Sequence, residues 1–345
     1  MIDRVYLIGA GASVPYGLPA LNSLSWELAQ SLTPAEREVF LTAVRECFGR
    51  ELSVDNASLN FETLLTNLDP LALRYLEGSG VGGPQAPRRR AAEIALNGLR
   101  RFIQAKCEAV ATRQGPFDRL VASLDHRAVT ISFNWDFLLE LAILRAGRAY
   151  CYLPPCRDEN SLVLLKPHGS VNWFALLDRE MLQIREGSNL LPIGESLRNY
   201  LCYVPDPLNP IDFTACSEMV RHSLATVPAI VPPISSKILS VGGAARDGYV
   251  EHGHTMAMKG IWATALAALA EARQLVVIGY SLPGTDAASI EALKHFVATS
   301  TPGNPKTIHL VEPRFAEVAA WFRAILGMTP TLASPDFAQF DPSMV

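Results

Sequence analysis

The sequence lacks several features that would place it in a common class of protein. It has no run of about 18 apolar residues, so we expect no membrane-spanning helix. The net charge is only −4, which argues against a general nucleic-acid or anionic-membrane surface. There is no G-x-x-x-x-G-K-[ST] loop for a nucleoside triphosphate. The short apolar stretch near the N-terminus is not followed by a cleavage site, so we expect a cytoplasmic protein.

Cysteine is scarce and poorly spaced for a metal site. No two cysteines form C-x-x-C, and the six are Cys47, Cys107, Cys151, Cys156, Cys202 and Cys216. This spacing excludes a structural zinc built from paired C-x-x-C knuckles. We expect reduced, buried cysteines rather than a disulfide framework, with Cys151 and Cys156 only a weak metal pair. The sequence therefore predicts no metal.

What the sequence does contain is enough apolar material for a large core. Apolar residues make up 49% of the 345 residues and charged residues 19%. This length predicts about two domains, or one large α/β domain with an insertion.

Apolar runs and helical periodicities alternate along the chain. The predicted strands are residues 5–8, 128–133, 161–166, 229–231, 275–278 and 307–311. The predicted helices are residues 22–30 (capped by Asn22 or Ser23), 34–48, 61–70, 88–112, 137–144, 255–273, 286–298 and 315–326. Residues 78–87 and 242–254 are predicted loops, and residues 175–227 are irregular. The alternation predicts an α/β fold with a doubly wound, mostly parallel Rossmann-like sheet.

The first two predicted strands are separated by about a hundred mostly helical residues. A simple βαβ crossover needs far fewer, so this block is predicted to be a helical insertion or small subdomain. We therefore expect a Rossmann-like domain made of residues 1–21 and 126–345, with the helical insertion at residues 22–125.

Polar or glycine-rich groups follow four of the predicted strands. They are Gly9-Ala10-Gly11-Ala12-Ser13, Asn134-x-Asp136, His168-Gly169 and Gly279-x-Ser281. In open α/β sheets, ligands bind beyond the carboxyl ends of the strands. Taken alone, the first group is either a phosphate-binding turn or an ordinary strand-to-helix turn, because Val14 occupies the position of the third glycine in G-x-G-x-x-G.

These motifs, in this order, resemble the sirtuin superfamily, and most closely its bacterial SIR2-like branch. Sirtuins open with Gly-Ala-Gly-x-Ser and Gly-Ile-Pro, and this chain has residues 9–13 and Gly17-Leu18-Pro19. The Asn-x-Asp, the catalytic His-Gly and the Gly-Thr-Ser-Leu phosphate loop of sirtuins are similar to residues 134–136, 168–169 and 279–282. The Phe-Glu-x-x-Leu helix of the branch is similar to residues 61–65.

The chain also departs from the deacylases of that superfamily. It lacks their zinc module and their Asp-Phe-Arg after Gly-Ile-Pro, and residues 230–233 replace their Val-x-Phe-Gly peptide groove. The resemblance therefore implies that the parts that hold NAD+ and break its nicotinamide bond are kept. Where sirtuins place an asparagine near the adenine ribose, this chain has Glu312, a carboxylate able to accept from ribose hydroxyls.

The resemblance assigns roles to the polar groups at the strand ends. Asn134 and His168 are the candidate catalytic residues, with His168 as general base because imidazole titrates near neutral pH. Asp136 is expected to accept from the nicotinamide carboxamide. The candidate NAD+-binding residues are Gly9, Ala10, Gly11, Ala12, Ser13, Asp136, Gly169, Gly279, Ser281 and Glu312.

Several other residues have plainer interpretations. We expect Trp135 and Trp173 to be packing residues, and His252 and His254 to lie in a surface loop. The Arg88-Arg89-Arg90 run is expected to be a solvated helix face rather than a phosphate site.

The leading functional hypothesis is an NAD+ hydrolase that releases nicotinamide and ADP-ribose. The resemblance implies antiphage defence by NAD+ depletion, gated by homo-oligomerisation or by a partner such as a HerA-type ATPase. The alternatives are an NAD-dependent protein deacylase and a non-catalytic subunit that binds NAD or ADP-ribose. The helical insertion is the candidate element for assembly or gating.

Overall fold

A computed structural model gives the fold. It describes residues 2–49, 51–52, 59, 61–68, 86–156, 158, 160–175, 191–193, 201–209, 228–230, 251–284 and 286–345. Of the loop predicted at residues 78–87, residues 78–85 lie outside the described residues, as do the segment 231–250 and Cys216, whereas residues 86 and 87 are helical.

The centre of the molecule is a seven-stranded, entirely parallel sheet. Its strands are β1 (Arg4–Ile8), β2 (Ala128–Ser132), β3 (Tyr150–Cys151), β4 (Leu162–Leu165), β9 (Gln274–Ile278), β10 (Thr307–Val311) and β11 (Thr331–Ser334). The spatial order is β11-β10-β9-β1-β2-β4-β3. Successive residues of the central strands are buried, so both faces of the sheet are covered, as parallel sheets require. The predicted α/β, doubly wound Rossmann-like fold is confirmed.

The strand order reverses at β1, which has β2 on one side and β9 on the other. The chain first builds the sheet outward from β1 through β2, and later returns to add β9, β10 and β11 on the opposite side. Such a reversal leaves a crevice at the carboxyl ends of the two central strands. The residues that follow β1 and β9, Gly9 and Gly279, therefore lie at the mouth of that crevice.

Helices account for most of the remaining described residues. They are α1 (Leu21–Ser31), α2 (Pro34–Phe48), α3 (Phe61–Leu68), α4 (Ala86–Ala109), α5 (Pro116–Ser123), α6 (Leu138–Arg145), α7 (Glu251–Glu271), α8 (Ala287–Ala298) and α9 (Phe315–Leu326). The turn after β1 is a 3₁₀-helix, Ala10–Tyr16, which ends at Gly17 in the left-handed conformation. None of the described helices is both long and apolar enough to cross a membrane.

The helix that starts at Pro34 has the sequence chemistry expected of a helix start. Thr33 accepts from the backbone N–H of Glu36, and the Glu36 side chain accepts from the Thr33 N–H, which forms a capping box. The predicted cap of α1 is wrong, however. Ala20 precedes α1 without any side-chain cap, and Ser23 lies inside the first turn, where its hydroxyl donates to the Ala20 carbonyl.

The helices between β1 and β2 pack largely on one another. α1, α2 and α3 all contact α4, in which Ala95 and Leu99 are completely buried, and Gly98 of α4 allows the Leu32 side chain to approach closely. The Leu28 and Phe40 side chains are completely buried among these helices. The domain boundaries proposed from the sequence remain a prediction.

A second, antiparallel sheet was not predicted. It consists of β6 (Leu191–Pro192), β7 (Leu201–Tyr203), β5 (Gly169–Ala175) and β8 (Pro228–Ile230), in that spatial order. Three of its four strands, β6, β7 and β8, have only two or three residues, too few to show a two-residue periodicity in the sequence. The sheet matters for the site because β5 starts directly after His168.

Three further expectations are corrected. Cys151 and Cys156 form a disulfide rather than remaining reduced, since the turn after β3 brings their Cα atoms to 5.5 Å. α7 begins at Glu251, so His252 and His254 lie in a helix rather than a loop. The chain after residue 326, for which no strand was predicted, contains β11, which extends the parallel sheet beside β10.

Candidate active site

A cavity of about 700 Å³ lies at the carboxyl ends of the central strands. This volume is within the range of pockets that hold small-molecule ligands, about 300–1,000 Å³. Five neighbouring strands contribute to it in spatial order. Glu312 follows β10, Gly279 follows β9, Gly9 follows β1, Asn134 follows β2 and His168 follows β4. The strand ends that the sequence singled out therefore meet in one place.

Three of the predicted residues are linked by a chain of hydrogen bonds. Asn134 Nδ2 donates to Ser13 Oγ at 3.0 Å and to the Gly9 carbonyl at 3.0 Å. Ser13 Oγ donates in turn to Asp136 Oδ2 at 2.7 Å. All three side chains are buried. The amide therefore has its Oδ1 atom left to accept from a ligand, while Ser13 orients both Asn134 and Asp136.

The buried environment of Asp136 disfavours the ionised form of its carboxyl group. Burial, the largest effect, raises the pKa of Asp136 above its ordinary value. The Lys166 charge and the hydrogen bond from Ser13 lower it in partial compensation. Asp136 Oδ1 also accepts from the Leu138 N–H at the start of α6, which fixes the carboxylate at the edge of the cavity.

The glycines of the two turns at the strand reversal serve close packing. Gly279 has φ +61°, and a Cβ there would lie 2.2 Å from the Ala12 nitrogen. A Cβ on Gly9 would lie 2.5 Å from the Gly279 oxygen. The N–H groups of Gly9 and Gly11 donate to the carbonyls of Ile278 and Gly279. These two amides thus join the turns to each other. The sequence-based prediction of a phosphate-binding turn did not include such hydrogen bonds between the turns.

His168 lies among aromatic rings at the far wall of the cavity. Its ring centroid is 4.7 Å from that of Phe133 and 6.5 Å from that of Trp262. Its Nε2 atom lies 3.1 Å from Asp286 Oδ2, a carboxylate supplied from the other side of the strand reversal. The His168 and Asp286 side chains are 4% and 2% exposed, so solvent screens this pair weakly.

A buried ion pair supports the site from behind. Lys166 Nζ lies 2.8 Å from Glu140 Oε1, 2.7 Å from Ser170 Oγ and 2.5 Å from the Asp136 carbonyl. The three protons of the ammonium group therefore have three acceptors. Tyr152 also donates to Glu140, at 2.8 Å. This network ties the Asp136 loop to the strand end that carries His168.

Glu312 is the acidic group at the opposite end of the cavity. Its side chain is 8% exposed, and its Oε1 atom accepts from the Arg314 backbone N–H at 3.2 Å. The Arg314 side chain, which also lines the cavity, lies 3.6 Å from Glu312 and 3.6 Å from Glu317. Two carboxylates thus share the one guanidinium.

Most of the predicted site residues line the cavity, and two do not. Those that line it are Gly9, Ala10, Gly11, Ser13, Asn134, Asp136, His168, Gly279, Ser281 and Glu312. Ala12 is fully buried against the core, and Gly169 has φ +73° where the chain turns into β5. Trp173 is fully buried and Trp135 is 7% exposed, consistent with packing, although Trp135 also borders the cavity.

Sequence reasoning missed three charged residues around the site. Asp286 was placed only at a helix start, and Lys166 and Glu140 only inside a strand and a helix. The sequence does contain one indication of these residues, because Lys166 directly follows the buried apolar run Leu162–Leu165. A charged side chain at a buried position requires a partner of opposite charge. Among the described residues, no three His, Cys, Asp or Glu side chains cluster as they would around a metal ion.

No protein-family model and no curated protein matches the chain. Solved structures to which it is similar include a Sir2 homologue with a serine-to-alanine substitution in complex with ADP-ribose, at 13% identity and a TM-score of 0.37 over 90% of this chain and 80% of that one. They also include Sir2 bound to acetylated peptide (13% identity) and Sir2 with p53 peptide and NAD+ (12% identity). Both have a TM-score of 0.38 over 98% of this chain and 89% of theirs.

Proposed function

We propose that this protein is an NAD+ hydrolase that cleaves the bond between nicotinamide and ribose. The observation that carries the proposal is the convergence of Asn134, Asp136 and His168 on one cavity, beside the glycine turns at the strand reversal. A buried amide, a buried carboxylate and an imidazole are the groups needed to orient and deprotonate water near a positively charged leaving group.

The proposed reaction resembles glycoside cleavage, which passes through an oxocarbenium-like ribose. His168 removes a proton from water while Asn134 Oδ1 holds that water or a ribose hydroxyl. The water oxygen bonds to the anomeric carbon, and the carbon–nitrogen bond breaks. Its electron pair neutralises the pyridinium ring. The products are nicotinamide, ADP-ribose and one proton. A general base of this kind contributes about 10²–10⁴ in rate.

The remaining groups are proposed to bind the rest of the dinucleotide. Ser281 and the turn at residues 9–13 are proposed to face the diphosphate, and Glu312 the adenine ribose. Asp136 is proposed to accept from the carboxamide. The spatial order of the strands supports this assignment, because the residues proposed to bind successive parts of NAD+ follow adjacent strands from β10 to β4.

We further propose that the activity serves antiphage defence in the cytoplasm by depleting NAD+. Unrestrained hydrolysis is toxic, so the activity is expected to be gated by homo-oligomerisation or by a partner such as a HerA-type ATPase. The proposed gating element is the insertion at residues 22–125. Its helix α1 carries Leu24, which borders the cavity.

The test is nicotinamide release from NAD+ with and without an acetylated peptide. Release without peptide supports the hydrolase, and release only with peptide would instead identify a deacylase. Binding of ADP-ribose without turnover, at every protein concentration and with every candidate partner, would identify a binding subunit.

A further inference from the structure

Trp135 lies between the candidate site residues Asn134 and Asp136, and its backbone is fixed by the antiparallel sheet. The Trp135 carbonyl accepts from the Ser170 hydroxyl at 3.1 Å and from the Val171 N–H at 2.9 Å. Both donors belong to β5, which starts directly after the strand end that carries the candidate base. The backbone between the amide and the carboxylate is therefore held from the side of β5.

The indole ring of Trp135 is held from the other side, by the helical insertion. Phe61, the first residue of α3, places its ring edge-to-face against the indole, with 5.9 Å between the ring centroids and 74° between the ring planes. Phe61 is completely buried and Trp135 is 7% exposed. Aromatic pairs in this arrangement attract each other beyond the apolar area that they bury, and the attraction is directional. The contact therefore orients the indole ring relative to α3.

The position of Phe61 depends in turn on the other helices of the insertion. α3 packs against α1, α2 and α4. Just before α3, the Leu59 carbonyl accepts from the buried Ser25 hydroxyl of α1 at 2.7 Å. α1 and α4 also supply Leu24 and Ile103 to the cavity wall. Phe61 thus belongs to the same packed group of helices that forms one side of the cavity.

A second contact joins the insertion to the same segment of the site. Cys107 of α4 is completely buried. Burial, the largest effect, and the charge of Asp136 raise the pKa of the Cys107 thiol, whereas a hydrogen bond from the Phe137 backbone lowers it. The insertion therefore contacts this segment on both sides of Asp136, at Trp135 and at Phe137.

We propose that Phe61 is a positioning residue that holds Asn134 and Asp136 in the geometry of the reaction through its ring contact with Trp135. The inference rests on the proposed function for the identity of that reaction, but the effect on Asn134 does not depend on it. A displacement of about 1 Å at a reacting group can lower a rate about 10²-fold, so a packing contact is sufficient for this role. The two hydrogen bonds of Asn134 Nδ2, each 3.0 Å long, report such a displacement.

The first measurement follows the Asn134 side-chain amide in Phe61→Leu, with Phe40→Leu as the matched control. Phe40 is also completely buried in the insertion, but it lies on α2, which supplies none of the residues described around the cavity. Protein labelled with ¹⁵N at asparagine is used, and the signals are assigned by their loss in Asn134→Ala. We expect hydrogen exchange of the amide to be at least about 10-fold faster in Phe61→Leu and within about 3-fold of wild type in Phe40→Leu.

The second measurement is the steady-state release of nicotinamide from NAD+. We expect kcat to fall at least about 10-fold in Phe61→Leu, with KM changed less than about 3-fold, because the groups proposed to bind the diphosphate and the adenine ribose stay in place. Phe40→Leu should leave kcat within about 3-fold of wild type. Trp135→Leu removes the other ring of the contact. Because both rings act through one contact, the double variant Phe61→Leu/Trp135→Leu should lose little more than Trp135→Leu alone.

The outcomes separate the two proposals. Unchanged exchange at Asn134 in folded Phe61→Leu, or independent losses that multiply in the double variant, would overturn the positioning role and leave NAD+ hydrolysis intact. Equal changes in Phe40→Leu would also overturn it, because they would reflect looser packing of the whole insertion. If wild-type protein never releases nicotinamide while Phe61→Leu accelerates exchange, the proposed function fails and the role of Phe61 in holding Asn134 stands.

Discussion

Asn134 Nδ2 donates to Ser13 Oγ at 3.0 Å, although 121 positions of sequence separate the two residues. The bond joins the turn after β1 to the end of β2, across the two strands that share the centre of the sheet. A ligand that enters at the turn therefore meets an amide whose orientation is already set. Such preorganisation lowers the cost of binding and of reaction, because the polar groups need not move.

The close packing of the two glycine turns predicts an unequal response to alanine within one loop. Gly279→Ala should destabilise the fold by about 2 kcal/mol or more, because it combines a left-handed residue with a Cβ clash against backbone. Gly284→Ala, in the same loop with no atom within 4 Å of its Cβ, should stay within about 0.5 kcal/mol. Denaturant unfolding measures both. Equal effects would show that the turns are not packed as described.

The buried Lys166–Glu140 pair predicts a strong coupling between two substitutions. Lys166→Met leaves the carboxylate of Glu140 buried without its cation and should cost about 3–5 kcal/mol. Lys166→Met/Glu140→Gln removes both charges, keeps an acceptor for Tyr152 and should recover much of that loss.

The control for this pair is an exposed one. Lys294→Met breaks the contact with Glu291 on the surface of α8, where both side chains are about half exposed or more. Exposed pairs contribute about 0–1 kcal/mol. If Lys166→Met lowered the free energy of unfolding as little as Lys294→Met does, the buried network of Lys166 and Glu140 would not stabilise the fold.

The position of Glu312 in the cavity predicts that the protein binds NAD+ more tightly than NADP+. If the adenine ribose lies at Glu312, a 2′-phosphate would meet a buried carboxylate, with Arg314 already shared between Glu312 and Glu317. Like charges placed together cost several kcal/mol, so we expect NADP+ to bind at least about 10-fold more weakly than NAD+. Calorimetric titration of each dinucleotide tests this.

The matched variants are Glu312→Gln and Glu317→Gln. Both relieve Arg314 of one carboxylate, but only Glu312 lines the cavity. The ratio of the dissociation constants for NADP+ and NAD+ should decrease in Glu312→Gln and stay unchanged in Glu317→Gln. An equal decrease in both would mean that Arg314, rather than the carboxylate at the cavity wall, sets the preference.

Asp136 predicts a pH-dependent difference in stability. Its pKa is raised above 3.8 by burial, so on acidification the folded state takes up a proton before the unfolded state does. Wild type therefore gains stability relative to Asp136→Asn as the pH falls through that range. The melting temperature of the variant minus that of wild type should become more negative from pH 7 toward pH 4.

A second aspartate gives the opposite sign. Hydrogen bonds from Ser343 hold the pKa of Asp341 below 3.8, so its contribution to stability is lost as the pH falls toward that lowered value. Asp341→Asn should therefore gain on wild type in acid, where Asp136→Asn loses. The same trend in both variants would contradict the environment described for Asp136.

The sequence was sufficient for features that depend on local pattern. Buried strands such as β1 and β9 are continuous apolar runs, and the start of α2 carries its capping box in Thr33 and Glu36. The position of the polar strand ends follows from the parallel order of those strands. These features need only hydrophobic periodicity and the geometry of open α/β sheets.

Contacts between residues far apart in the chain could not be predicted from these local patterns. Nothing in the local sequence indicates that Asp286 lies against His168, 118 positions away, or that Lys166 is paired with Glu140. The small antiparallel sheet was missed because β6, β7 and β8 have only two or three residues each. The Cys151–Cys156 disulfide depends on a turn whose shape no spacing rule specifies.

The most direct test of the central claim is the release of free nicotinamide from NAD+ as the sole substrate, measured across a protein concentration series that permits assembly and with candidate partners present. We predict release without acyl peptide, reduced at least about 10²-fold in His168→Ala and strongly reduced in Asn134→Ala. NAD+ recovered intact under every condition, or release that His168→Ala leaves unchanged, would contradict it.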